Sequence, residues 1–170
     1  MKVAVTDACI FIDLIELDLV ASFFKLDIQL HTTVDVVNEL FPEQKQLLKA
    51  YESGKLLTIH NLGEKDFTEL AKIPFPKGLS QEDKTVIYLA LFLDKAMVIS
   101  SDKLVRNFAT NQSLECHGLV WIFDELVKAA IISKKSAANI LRNLLSLNQM
   151  YNGALIKKEV DKRIRKWTEE

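Results

Sequence analysis

Acidic residues follow two of the apolar runs in the sequence, at points where a chain would leave a strand and enter a helix. In "VAVTDACIFIDL", Asp7 comes directly after the apolar run, and in "AMVISSDKL" Asp102 comes soon after another. A carboxylate at the edge of a core costs free energy unless a partner uses it. The simplest partner is the N-terminus of the next helix, because aspartate is a good helix cap.

Two further acids share this ambiguity. Glu39 in "TTVDVVNEL" is typical of a solvated helix residue, and Asp83 in "LSQEDK" lies three residues after Ser80, as in a capping box. However, Asp83 also heads a helix face whose apolar residues, Ile87 and Ala90, are spaced for burial. A carboxylate at the head of a buried face points towards the sheet, so we expect Asp83 to meet the acids at the strand ends.

Four carboxylates at one place would repel one another strongly. Two like charges ~6 Å apart repel by roughly 3 kcal/mol at an effective dielectric of 20. Ionising all four acids would then cost on the order of 15 kcal/mol, which rivals the whole stability of a domain, about 5–15 kcal/mol. Such a cluster needs protons or cations, and oxygen-only ligands favour Mg²⁺ or Mn²⁺. An ion of this kind suits phosphate chemistry, because it activates a water and stabilises the leaving oxygen.

Short apolar strands alternate with helices over residues 1–118, which predicts an α/β fold with a parallel sheet of four to five strands. The predicted strands are "KVAVT", "DIQLHTT", "KLLTIHNL", "AMVIS" and a short "LECHG". In such sheets the ligand site lies beyond the carboxyl ends of the strands, near the switch point of the strand order. Residues 119–170 are predicted to be extra C-terminal helices, and the whole chain, 1–170, a single domain.

The charge of the chain limits how it can bind nucleic acid. A formal net charge of −1 excludes a protein that grips nucleic acid with its whole surface, so any contact must be local. Residues 157–167 carry six Lys or Arg against two acids, which would attract phosphate locally. The alternative is the solvated face of an amphipathic helix, with Ile156, Val160, Ile164 and Trp167 facing inward.

The cysteines, the histidines and the longest apolar runs exclude several other classes of protein. Cys9 and Cys116 lack the pattern of a disulfide framework or a zinc site, which fits a reducing, cytoplasmic location. His31, His60 and His117 are too far apart in the sequence to have ligand spacing. No apolar run approaches the ~20 residues that a membrane span needs, so we expect no membrane association.

Four stretches carry a family resemblance, and they occur in order over residues 1–112: "VAVTDACIFIDL", "TTVDVVNEL", "LSQEDKTVIYLAL" and "VISSDKLVRNFA". With them the sequence resembles PIN-domain proteins, and the later "HGLVWIFDELVKAAIISKKSAANILRNLL" resembles the C-terminal helices of bacterial VapC-like members. The resemblance implies a three-layer α/β/α sandwich and metal-dependent cleavage of RNA that leaves a 5′-phosphate. By motif position it implies that Asp7, Glu39, Asp83 and Asp102 form the catalytic, Mg²⁺- or Mn²⁺-binding cluster.

The resemblance also bears on residues around the four acids. Ser100 takes the hydroxyl position that often precedes the last acid, and Arg106 is either a phosphate contact or a solvated arginine. Cys9 departs from the family pattern, because many members have Ser, Thr or Asn there and a thiol is a weak hydrogen-bond donor. Glu82 is a rival to Asp83 if the helix is turned by one residue.

From this resemblance we expect a metal-dependent endoribonuclease that acts as the toxin of a type II toxin–antitoxin pair. The implied partners are an RNA substrate, a small antitoxin protein and a second copy of the chain. The alternative is a catalytically inactive PIN-like module that binds RNA or protein. Retention of all four acids argues against that alternative, since a scaffold has no reason to endure their repulsion.

The helix predicted at "VASFFKL" bears on the antitoxin. Phe23 and Phe24 lie beside Val20, which is more apolar surface than two short helices usually need, although ordinary core packing explains it equally well. The sequence therefore suggests a groove at this helix that takes an apolar helix from a second chain.

Overall fold

A computed structural model of the chain describes residues 1–147 and 153–169. The chain forms two compact units: residues 1–16 with 27–119, and residues 17–26 with 120–170. The predicted boundary after residue 118 lies next to the end of the first unit. Nothing in the sequence signalled that residues 17–26 belong to the second unit. That the whole chain acts as a single domain stays a prediction.

The strands and helices follow the predicted alternation. The strands are β1 (Lys2–Thr6), β2 (Ile28–Thr33), β3 (Leu57–His60), β4 (Met97–Ile99) and β5 (Cys116–His117). The helices are α1 (Ala8–Glu16), α2 (Val20–Phe23), α3 (Val34–Asn38), α4 (Pro42–Ser53), α5 (Glu64–Leu70), α6 (Gln81–Phe92), α7 (Lys103–Asn111), α8 (Leu119–Lys128), α9 (Lys134–Leu147) and α10 (Ala154–Thr168).

The five strands of the first unit form one parallel sheet in the order β3-β2-β1-β4-β5. Helices cover both of its sides, which confirms the predicted three-layer α/β/α fold. The strand order reverses at β1, so the switch point lies between β1 and β4, where Thr6 pairs with Ile99. Asp7 and Asp102 follow these two strands, and both therefore lie at the place where parallel sheets bind ligands.

Helix α6 is the main helix of the core of this unit. It packs against β1, β2 and β4, and its fully buried side chains include Val86, Ile87 and Leu89. Each such side chain contributes roughly 1.5–3 kcal/mol by its removal from water. Burial along α6 fixes how the helix lies on the sheet, and therefore where its first turn, with Glu82 and Asp83, is placed.

Helix α3 is shorter than the sequence suggested. The predicted helix ran from residue 34 to residue 41, but α3 ends at Asn38, and Glu39 lies at its C-cap rather than inside it. The cause is Pro42, which begins α4 and disfavours helical backbone at the residue before it. Phe41 is accordingly extended, with φ −66° and ψ 157°.

The second unit contains α2, α9, α10 and all of α8 after its first residue. Val20, Phe23 and Phe24 are at most 7% exposed, so the predicted apolar groove at this helix is wrong and ordinary core packing accounts for these residues. In α10, Val160 and Trp167 are buried, as expected for an amphipathic helix. Across the described ranges, no helix is long and apolar enough to cross a membrane.

Two histidines that are distant in the sequence meet on neighbouring strands of the first unit. His31 on β2 and His60 on β3 lie with Nδ1 of the first 2.9 Å from Nε2 of the second. Burial and the neighbouring imidazole lower the pKa of His31, and burial lowers the pKa of His60. The sheet therefore favours the neutral forms of both rings.

This pair should make the protein less stable in acid. The unfolded chain binds protons as the pH falls below 6.5, the ordinary histidine pKa, before the folded pair does. The contribution of the histidine pair to the free energy of unfolding is therefore present above pH 6.5 and is lost as the pH falls below it. We expect His31→Gln to flatten the fall in unfolding free energy between pH 7 and pH 5, by less than ~1.4 kcal/mol per pH unit. Urea unfolding of both proteins across this range tests it, and parallel pH profiles would contradict it.

Candidate functional site

Asp7 caps a helix and also presents a second, unused oxygen. Its backbone N–H donates to the Ile99 carbonyl at 3.3 Å, which ties it to β4, and its Oδ1 accepts from the Ile10 N–H at 3.1 Å. The residue is only 2% exposed. Within the described part of the chain, its buried Oδ2 has no hydrogen-bond partner. The cap therefore accounts for one oxygen of Asp7 and leaves the other available.

Asp102 likewise caps the helix that follows it, α7. Its Oδ1 accepts from the backbone N–H groups of Leu104 at 2.8 Å and Val105 at 3.4 Å. Its own N–H donates to the Ser100 hydroxyl at 3.1 Å. Ser100 is fully buried, so this bond fixes the turn between β4 and α7. The carboxylate of Asp102 is consequently held at the sheet edge by its own helix.

A chain of buried hydroxyl groups connects α3 with α6. Thr85 donates to the Glu82 carbonyl at 2.6 Å and lies 2.8 Å from the Thr33 hydroxyl, which accepts from the Val36 N–H at 3.2 Å. A hydroxyl has only one proton. Since the proton of Thr85 goes to Glu82, Thr33 must donate to Thr85. This directed chain fixes the first turn of α6 against the end of β2.

The pKa of Asp7 is raised from 3.8 to about 7. Burial is the largest cause, and the negative charges of Asp83 and Asp102 add to it. The nearby Ser100 hydroxyl and the hydrogen bond from the Ile10 N–H lower the pKa of Asp7 without cancelling this rise. The structure thus brings Asp83 and Asp102 close enough to Asp7 for their negative charges to disfavour its ionisation.

Glu39 joins this group from the end of α3. Partial removal from water, followed by the charges of Glu82 and Asp83, raises the pKa of Glu39 to about 7. The pKa of Asp83 is also raised, first by burial and then by Asp102 and Glu82, against hydrogen bonding by Ser80. All four predicted acids therefore interact, and Glu82 joins them at the Glu39 side.

The same electrostatic interactions distinguish Asp83 from Glu82. The charge of Asp83 raises the pKa of Asp7 and of Glu39, and the charge of Asp102 raises the pKa of Asp83. Asp83 therefore lies at the centre of the group. Glu82 acts on Glu39 and Asp83 and is not among the charges that raise the pKa of Asp7. This placement favours Asp83 as the third acid, and its role stays a prediction.

Cys9 is a supporting neighbour of the acids. Burial is the main cause that raises the pKa of its thiol to about 12, and the charges of Asp7, Asp83, Asp13 and Glu39 contribute. The thiol therefore stays protonated at neutral pH, and a neutral thiol is a poor metal ligand. Cys9 lies two residues after Asp7, and because a thiol is a weak donor it can offer its neighbours only a weak hydrogen bond.

Three buried side-chain polar atoms lack a hydrogen-bond partner within residues 1–147 and 153–169: Thr6 Oγ1, Asp7 Oδ2 and Arg106 Nε. Two of the three belong to predicted site residues. A side-chain carbon at Gly118 would lie 3.6 Å from both Arg106 Nη1 and the Ser100 carbonyl oxygen, so the guanidinium lies near the β4 end of the site. Unsatisfied buried polar atoms are rare in proteins and often mark a missing ion or ligand.

The donor set fits a hard cation that keeps part of its water shell. The candidate ligands are all carboxylate oxygens, which Mg²⁺ and Mn²⁺ prefer, and the buried Oδ2 of Asp7 is available to one. In the portion of the chain that is described, no group of three His, Cys, Asp or Glu side chains is arranged to hold an ion alone. Mg²⁺ is commonly bound through one or two carboxylates together with waters and substrate phosphates, so this arrangement still fits it.

Comparison with known proteins identifies the family of this chain. The chain matches none of the curated proteins searched. A solved structure described as a domain of a functionally unknown protein from Methanocaldococcus jannaschii is 21% identical, with a TM-score of 0.49, over 70% of this chain and 91% of that one. The family model DUF3368, described as a PIN domain, matches residues 3–169. The chain therefore belongs to the PIN-domain family, whose fold is of the nuclease type.

Proposed function

We propose that this protein is a Mg²⁺- or Mn²⁺-dependent endoribonuclease, and that it acts in the cytoplasm as the toxin of a type II toxin–antitoxin pair. The observation that carries the proposal is the buried carboxylate of Asp7 at the sheet's switch point, with one oxygen unpartnered in the described part of the chain and three other acids around it. A helix cap alone needs neither the burial nor the neighbouring charges.

Each residue of the site has a distinct part in the proposed reaction. Asp7, Asp83 and Asp102, together with Glu39, would hold the ion either directly or through its bound waters, and two of them are already fixed by their helix caps. When bound, the ion would supply Lewis-acid stabilisation of charge on the phosphate and an activated water. Because the caps preset the carboxylates, little reorganisation accompanies the reaction, which lowers its barrier.

Glu39 and Arg106 would act on the substrate side. Glu39 is solvent-exposed and its pKa of about 7 suits proton exchange at neutral pH. The guanidinium of Arg106 would contact a phosphate of the RNA backbone, a group that its planar donors fit well. Ser100 orients Asp102 through its hydrogen bond to the Asp102 N–H rather than touching the substrate.

One observation favours the second candidate, a catalytically inactive PIN-like module that binds RNA or protein. Among the described residues, no three potential ligands are arranged around one ion position. A module of this kind would bind RNA without cleaving it. Added Mg²⁺ would neither stabilise the protein nor lead to cleavage of the bound RNA. Incubating labelled RNA with the purified protein, with and without Mn²⁺ or Mg²⁺, distinguishes the two functions directly.

The change Asp7→Asn tests the metal site through stability. The unfolded chain ionises Asp7 above pH 3.8 while the folded chain holds its proton until about pH 7, so metal-free stability falls across this window and stays reduced above it. Asparagine caps a helix as well as aspartate does and cannot ionise. We therefore expect the metal-free variant to gain up to a few kcal/mol at pH 8, at ~1.4 kcal/mol per pKa unit, and nothing below pH 4, while RNA cleavage is lost.

Thermal melts at both pH values, with and without Mn²⁺, measure this effect. Asp66→Asn is the control, because hydrogen bonds from the Gly63 N–H and the Tyr88 hydroxyl lower the pKa of that carboxylate. The control should gain no stability at pH 8. An Asp7→Asn protein that melts and cleaves RNA like the wild type would show that Asp7 is only a helix cap.

A matched pair of variants separates Asp83 from Glu82. Asp83→Asn should reduce RNA cleavage by more than the roughly 10–100-fold typical of losing a partner that only supports a metal ligand. Glu82→Gln, one residue earlier on the same helix, should have a smaller effect because Glu82 acts only on Glu39 and Asp83. Cleavage rates at saturating Mn²⁺ measure both, and the reverse order of effects would identify Glu82 as the third acid.

The toxin assignment predicts a protein partner. Co-expression with the product of a small neighbouring gene should give a stable complex whose RNA cleavage is suppressed until the partner is removed. The site of contact is not α2, because Phe23 in this helix and Phe24 at its C-cap are buried. Size-exclusion chromatography of the co-expressed proteins reports both the complex and the expected homodimer. Two proteins that purify separately, with cleavage intact, would refute the toxin assignment and leave the nuclease assignment standing.

A further inference from the structure

The second unit contains a cavity of about 520 Å³ formed by the last turns of α8, the start of α9 and one face of α10. Five cationic and three anionic side chains line it, so cations outnumber anions by two. Trp167 also lines the cavity but is only 6% exposed, so it closes the floor rather than presenting a face. The cavity is therefore a charged groove rather than an apolar one.

Two of the three acids are occupied by one arginine. Arg163 donates from Nε to Asp124 Oδ1 and from Nη2 to Asp124 Oδ2, both at 2.8 Å, and from Nη1 to Glu159 Oε2 at 2.8 Å. This forked arrangement with two carboxylates is the strong form of an ion pair. Arg163 therefore holds α8 and α10 together and offsets one of these two negative charges, so the side chains that line the groove keep an excess of two positive charges.

The four lysines that line the groove face solvent. Lys128, at the end of α8, and Lys162 and Lys166, one turn apart on α10, are exposed and form no ion pair with other described residues. Two like charges at positions i and i+4 disfavour a helix. Lys134, in the first turn of α9, also opposes the dipole of its helix. Lys128 and Lys166 lie in the last turns of their helices, where a cation is favoured, so Lys134 is a groove lysine whose position its own helix does not favour.

We propose that this basic groove, defined by Lys128, Lys134, Lys162 and Lys166, binds the phosphate backbone of single-stranded RNA apart from the acidic site. The inference rests on the proposed function, which makes RNA the substrate. A chain with a net charge of −1 and a cluster of acids has no general attraction for a polyanion, so the substrate needs a local basic contact. With Trp167 buried, the groove reads phosphates rather than bases, and its concave shape admits a single strand.

Two variants on one helix test the groove. Lys162→Gln with Lys166→Gln removes two groove charges, whereas Lys157→Gln with Lys158→Gln removes two exposed charges of α10 that do not line it. Binding of a labelled twelve-nucleotide oligouridine to the full chain is measured by anisotropy in EDTA, which prevents cleavage. The groove variant should bind at least ~10-fold more weakly, and its slope of log K against log salt should shrink by about 1.4, at roughly 0.7 per phosphate contact.

In the control variant the slope of log K against log salt should shrink by less than a third of the decrease expected for the groove variant. Lys128→Gln, on α8, should weaken binding in the same direction, which separates the groove from any effect on α10 itself. Equal losses in the groove and control variants, unchanged binding in the groove variant, or no binding by the wild type would each overturn the proposal. Lysine-dependent binding of an oligoglutamate peptide but not of RNA would also overturn it, in favour of an acidic protein partner.

Cleavage assays with Mn²⁺ keep this proposal separate from the proposed nuclease activity. If both hold, the groove variant should show a raised KM with an unchanged kcat. Lysine-dependent RNA binding without cleavage would refute the nuclease and support the groove. Cleavage with a KM that does not respond to Lys162 and Lys166 would refute the groove alone.

Discussion

Repulsion among carboxylates at the carboxyl edge of the sheet is the constraint on which the arrangement of the first unit depends. The charges of Asp83 and Asp102 raise the pKa of Asp7, the charge of Asp102 raises the pKa of Asp83, and Glu39 and Glu82 extend the group. Left to themselves, such charges would move apart into water. Burial of α6 on the sheet, the Thr33–Thr85 hydroxyl chain and the pairing of β1 with β4 hold their backbones in place. The group can then be neutralised only by protons or by a cation.

The two aspartates that follow β1 and β4 show how a structural role and a chemical role can share one side chain. Oδ1 of Asp7 and Oδ1 of Asp102 each accept hydrogen bonds from the first turn of the next helix. A carboxylate has a second oxygen, and the cap determines the direction in which that oxygen points. Helix capping therefore does not compete with metal binding here: it supplies the rigid placement that a metal ligand needs.

Local patterns predicted most of the fold and only part of the site. Each predicted strand appears in the sheet, and Ser80 and Thr33 cap α6 and α3 as their types suggest, because strand periodicity and capping depend on neighbouring residues. The contact of His31 with His60 and the approach of Glu82 to Glu39 were missed, since they arise only when distant segments meet. The early end of α3 could have been predicted from Pro42, which disfavours a helix at the residue before it. The apolar residues before Pro42 favoured a longer helix instead.

A chain that acts on a polyanion with a cluster of acids meets an electrostatic conflict that its fold must resolve. The cluster repels the phosphates it is proposed to approach, and the net charge of −1 offers no compensating long-range attraction. Arg106, with its buried unpartnered Nε, lies close to the Ser100 end of the site, and a cation bound to the acids would reverse the local sign. At the α10 groove, Arg163 pairs with Asp124 and Glu159, and the four lysines that line the groove leave it with more positive than negative charge. The position of the positive charge, rather than its amount, would therefore govern how the proposed RNA substrate approaches.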